Sequence, residues 1–197
     1  MKKFFHKIHL WLAIPFGVLI TLVFLTGSLL VFEDDIVASA QAGGWVASLG
    51  WDHPEPFFKG VKQLHRWLFD SPESKTSLTV GRAIIGISAM ATALILIGGI
   101  VIWVPKQFKP LRKRFTITSG KGLWRFALDW HKTIGICCVL FLLLMALTGP
   151  SWSFGWYREG VFALLRESES PMGTVLQIHT GKWGGIVTKF IYFFAAL

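Results

Sequence analysis

The sequence predicts an all-α integral membrane protein, a four-helix bundle built from two repeated two-helix units. Two observations carry that prediction. Three apolar runs of about 20 residues, the length that spans a hydrocarbon layer about 30 Å thick, lie within a chain of 197 residues. A His separated by sixteen residues from a Thr-Gly pair occurs at His9 with Thr26-Gly27 and again at His131 with Thr148-Gly149, 122 residues on. Composition agrees: 53% apolar and 16% charged residues with a mean hydropathy of +0.54 exclude disordered, collagenous and disulfide-scaffold chains. The formal net charge of +9 sits in short segments beside the apolar runs, where basic residues set orientation. No nucleic-acid partner is expected.

The first run, about Leu10 to Phe32, follows Met1-Lys2-Lys3 but is too long for a signal-peptide core. It ends in Glu33-Asp34-Asp35 with no small-residue cleavage site directly after it, so a retained helix is expected. The second run, about Ala83 to Val104, is closed by Pro105, and Pro110 stiffens the basic segment beyond it. The third covers about Ala127 to Leu147. The fourth, Gly184 to Leu197, has only 14 residues and reaches ~21 Å. It is expected either to tilt into a thin region or to continue past Leu197.

Residues 1–104 and 127–197 then form the two units, joined by a basic segment at 105–126, with external segments at 34–82 and 150–178. Lys2, Lys3 and Lys7 precede the first run. Lys106, Lys109, Arg112, Lys113, Arg114, Lys121 and Arg125 crowd the joining segment without an acid, and the positive-inside bias makes both regions cytoplasmic. Both termini are therefore expected in the cytoplasm. Of the ten Trp residues, Trp11, Trp67, Trp103, Trp124, Trp130 and Trp183 lie near span ends, as an interfacial belt would. Cys137 and Cys138 are adjacent on one predicted helix, cannot easily meet disulfide geometry, and read as small buried apolar residues.

Each unit reads inner His, outward helix, external His, inward helix, because Leu64-His65-Arg66-Trp67 precedes the second run and Ile178-His179-Thr180-Gly181 precedes the fourth. His9 and His131 form an inner pair, and His65 and His179 an outer one. Ionisable side chains at repeated positions in a helical bundle point to function, since burying them unpaired is costly. Two neutral imidazoles facing each other across an apolar bundle are the axial ligands of a b-type haem. Gly17, Gly98, Gly99, Gly135 and Gly185 would let helices or a macrocycle approach closely. Zinc prefers four ligands at one point, whereas His9 and His65 are separated by most of the bilayer. No nucleophile elbow, phosphate loop or carboxylate–metal motif suggests a hydrolase. His6, on the same face as His9, is a spare ligand candidate, and His53 a weaker one.

The ordered set of motifs resembles the PepSY-associated transmembrane family. The stretch from His6 to Phe32 with its acidic exit is similar to that family's first helix. Leu64-His65-Arg66-Trp67-Leu68-Phe69 with Gly81-Arg82 and Trp103-Val104-Pro105 resembles its second. Asp129-Trp130-His131-Lys132 with Thr148-Gly149, and Ile178-His179-Thr180-Gly181-Lys182 with Gly184-Gly185, resemble its third and fourth. The resemblance implies a bacterial inner-membrane ferric-siderophore reductase type of protein that carries haem on bundle histidines. The external segments here are too short for full PepSY domains, and the last helix lacks the family's apolar tail.

The expectation is thus two b haems that pass single electrons to an external acceptor such as chelated Fe(III), drawing on a donor at the cytoplasmic side. Arg66, Arg82, Arg125, Lys132 and Lys182 are candidate partners of haem propionates, or else snorkelling residues. The rival readings are a haem-free accessory or assembly subunit of a larger membrane complex, and a permease for iron chelates. The permease lacks support at the span centres, where only Thr21 and Thr92 are polar.

Overall fold

The computed structural model describes residues 1–74, 77–105, 115–118, 120–165 and 170–197, which contain helices and turns and no strand. Helix α1 (Lys2–Val31) begins well before the apolar run, because the lysines ahead of it are good helix formers whose ammonium ends can reach water. His9 therefore lies inside α1. Pro15 also lies within the helix, where its missing N–H removes one rung of the ladder.

The acidic exit, expected as the start of a loop, opens a second helix, α2 (Glu33–Gln41). Its first turn holds Glu33, Asp34 and Asp35, whose charges suit the positive end of the helix dipole. A short α3 (Trp45–Ser48) leads to α4 (Glu55–Trp67), which has a proline at its start. Gln41 Nε2 donates to Glu55 Oε1 at 3.0 Å, Lys62 pairs with Glu33 at 2.8 Å, and His65 reaches Thr26. Helix α4 thus runs back antiparallel to α2 and the end of α1.

Helix α5 (Val80–Trp103) follows a tight corner. Thr79 caps it by accepting from Arg82 N, and Asp70 Oδ2 accepts from Gly81 N at 2.8 Å. Leu68 and Phe69 are both left-handed, with φ of 52° and 65°. A Cβ on Gly81 would stand 1.9 Å from the Trp67 carbonyl oxygen, so only glycine allows α5 this close to the end of α4.

Helix α6 (Leu123–Thr148) passes into a 3-10 turn at Gly149–Trp152. Helices α7 (Gly155–Leu164) and α8 (Pro171–Thr180) occupy the segment expected as the second external loop. After a second 3-10 turn, α9 (Gly185–Ala196) closes the described chain. Helix α1 packs on α5, α5 on α6, and α9 on both α1 and α6. Among the described residues, three helical stretches are long and apolar enough to cross a membrane: Lys2–Gln41, Val80–Trp103 and Leu123–Trp152. The 12 residues of α9 do not reach that length.

Three ion pairs tie α4, the second 3-10 turn and α9 to the acidic start of α2: Lys62 with Glu33, Lys182 with Asp34, and Lys189 with Asp35 at 2.6 Å. The cysteines correct an expectation. Cys137 is exposed and Cys138 half-buried, both as free thiols. The run they occupy is apolar all round, so hydropathy alone did not indicate which side faces its neighbours. Lys106, Lys109, Pro110, Arg112, Lys113 and Arg114 lie outside the described residues.

Candidate functional site

The structure brings the four histidines together in two pairs. The ring centres of His9, on α1, and His131, on α6, are 6.2 Å apart with planes at 66°. Those of His65, on α4, and His179, on α8, are 6.3 Å apart with planes at 60°. With metal–nitrogen bonds of about 2 Å on either side, two imidazoles sharing one metal have centres roughly 6 Å apart. Both separations fit that arrangement. His6 and His53 are exposed and belong to neither pair. Among the described residues no group of three or more His, Cys, Asp or Glu side chains gathers in metal-binding geometry.

The outer pair is held by the Thr-Gly motif. His65 Nδ1 lies 3.0 Å from the Val23 carbonyl oxygen and 3.0 Å from Thr26 Oγ1. His179 Nδ1 lies 3.1 Å from the Met145 carbonyl and 2.9 Å from Thr148 Oγ1. Carbonyl oxygens can only accept, and each threonine hydroxyl spends its own proton on a carbonyl one turn back, Leu22 or Leu144, at 2.7 Å. Nδ1 must therefore carry the ring proton in both histidines, which leaves Nε2 with its lone pair. That is the tautomer a metal requires, oriented by the carbonyl contact usual for ligating histidines. Burial pushes His65 down to about 4, and burial with the neighbouring His65 charge pushes His179 down to about 3, so both rings are neutral near pH 7.

The glycines of the motif give the rings their space. A Cβ on Gly27 would meet His65 Cε1 at 3.1 Å, and one on Gly149 would meet His179 Cε1 at 3.7 Å. The inner pair is built differently. His9 Nδ1 lies 2.9 Å from the Ile95 carbonyl, which again fixes the proton on Nδ1, and a Cβ on Gly98 or Gly99 would meet the His9 side chain at 3.5–3.9 Å. Gly17 and Gly135 face open space, so their repeated position has no counterpart in close packing.

A cavity of about 440 Å³ opens between the outer histidines. Ile20, Val23, Phe24, Leu30, Ile85 and Ala146 supply apolar walls, and Lys62, Arg66, Arg82 and Lys182 are its basic residues. Trp152 also lines it, its ring centre 5.0 Å from that of His179. Sequence reasoning missed Trp152, whose counterpart 122 residues earlier, Leu30, also lines the cavity. It also missed the accepting carbonyls, although the repeated Thr was their signal. Of the other proposed cations, Arg125 and Lys132 both approach Asp129, at 3.0 and 3.8 Å. The donor set therefore fits a flat macrocycle ligated on both sides: two neutral imidazoles, apolar walls and a basic edge.

These features define an all-helical integral membrane protein whose histidines meet in pairs between helices. The chain matches the PepSY-associated TM region family over residues 37–174, the greater part of its length, and belongs to that family. The matched stretch includes His65 and His131. No curated protein and no solved structure matches the chain significantly.

Proposed function

We propose that the chain is a four-helix, two-haem membrane protein that conducts single electrons from a cytoplasmic reductant to an external acceptor such as chelated Fe(III). In this reading α9, short of a full span, tilts into the membrane as the fourth helix of the bundle and both termini are cytoplasmic, in a bacterial inner membrane. The observation that carries it is the spacing and tautomer of the outer pair, two neutral imidazoles at 6.3 Å with Nδ1 engaged. Haem, when bound, supplies a one-electron carrier. His9 and His131 would hold one such group and His65 and His179 the other. The carbonyls of Val23, Met145 and Ile95 keep the ligating nitrogens deprotonated and raise their basicity. The apolar walls exclude water and set the local dielectric, which together with ligand basicity tunes the potential. Transfer of one electron from the outer site would reduce the chelate's Fe(III) to Fe(II).

The test uses proteoliposomes of known orientation, with reductant inside and an impermeant ferric chelate outside. His179→Ala is expected to abolish ferric reduction while the inner haem remains reducible. External reduction at the unsubstituted rate would place the outer pair off the electron path and favour the accessory-subunit reading.

A further inference from the structure

We propose that Arg66 reads a carboxylate of the porphyrin held between His65 and His179, so that this one residue orients the macrocycle in the outer cavity; the inference rests on the haem reading above. Three of the four basic residues lining the cavity are already committed. Lys62 is paired with Glu33, Lys182 with Asp34, and Arg82 donates to the carbonyls of Trp152 at 2.8 Å and Ser77 at 2.7 Å. Arg66 differs. Its guanidinium lies 4.8 Å over the ring of its neighbour Trp67, and it forms no salt bridge among the described residues.

A guanidinium facing an apolar cavity without a counter-ion is costly to keep charged, and a planar carboxylate matches its fork with two parallel hydrogen bonds. The two acids on the cavity wall, Glu33 and Asp34, are held by lysines and leave Arg66 to an incoming anion. Counting from the paired histidines, the second unit carries Thr180 where the first carries Arg66, and Leu176 where it carries Lys62. Among the described residues, Lys182 is the second unit's one basic residue on the cavity and is paired with Asp34, so the charge of Arg66 has no counterpart across the cavity. A ligand with an apolar body and carboxylates along one edge fits such a cavity in one orientation.

The experiment titrates the full chain, produced without haem and carrying His131→Ala so that only the outer pair can ligate, with haem and with haem dimethyl ester, followed by absorbance. The free acid is expected to bind roughly tenfold more tightly than the ester, the scale of one charge-assisted hydrogen bond. Arg66→Gln is expected to erase that preference, and Arg66→Lys, which keeps the charge without the fork, to retain part of it. A merely structural role at the end of α4 would weaken both porphyrins alike. A preference that survives Arg66→Gln, or equal binding of the two porphyrins before substitution, overturns the assignment while leaving haem binding intact. If neither porphyrin binds, the haem reading itself falls and this proposal with it.

Discussion

Gly27 and Gly149 occupy matching positions after their threonines but leave unequal room for the imidazoles. A methyl group on Gly27 would press on His65 Cε1 at 3.1 Å, tighter than ordinary van der Waals contact, whereas on Gly149 it would meet Ala89 Cβ at 3.4 Å and His179 Cε1 at 3.7 Å. The His65 ring cannot retreat freely, because Nδ1 is bound to both Val23 O and Thr26 Oγ1. Gly27→Ala is therefore expected to lower outer-haem affinity by about 10- to 100-fold, the usual cost of disturbing a ligand's support, while Gly149→Ala changes it less than about threefold. Haem titration of the two variants checks this. Equal losses would show that the glycines do not set the ring positions.

The corner between α4 and α5 positions His65, which stands two residues before the end of α4. Because a Cβ at Gly81 would fall within bonding range of a backbone oxygen, Gly81→Ala forces the two helices apart. It is expected to cost at least the 1–3 kcal/mol typical of overpacking, about that much off the unfolding free energy in detergent, and to lower outer-haem occupancy. Unchanged stability and occupancy would contradict the account of the corner. The long elements and the histidine pairs were legible in the sequence because both are periodic: apolar runs of spanning length, and a His and Thr-Gly spacing repeated at a fixed offset. The supporting elements were not. Helices α2, α4 and α8 are short, rich in polar residues and bounded by Gly and Pro, and read locally as loops. The partners of Lys182 and Lys189 lie 148 and 154 residues away in the chain, beyond any local pattern. Likewise, the exposure of Cys137 depends on which neighbours surround α6, and a uniformly apolar run carries no record of that.

Across the whole molecule, the proposed function assigns one histidine pair to each membrane face. His9 and Thr26, the outer-pair anchor, are 17 residues apart on one continuous helix, about 26 Å along its axis and close to a hydrocarbon thickness. If the basic segment between α5 and α6 is cytoplasmic, a single cysteine at Ser74 in a chain whose Cys137 and Cys138 are replaced by Ala is expected to react with an impermeant maleimide outside intact cells. One at Ser119 is expected not to react, and the reverse pattern would invert the topology. The most direct measurement of the central claim is haem quantification with a dithionite-reduced minus oxidised spectrum on the purified chain. Two haems per chain with sharp bis-histidine bands are expected, falling to one in His131→Ala and to one in His179→Ala. No haem in the unsubstituted protein, or two retained in both variants, would contradict the account.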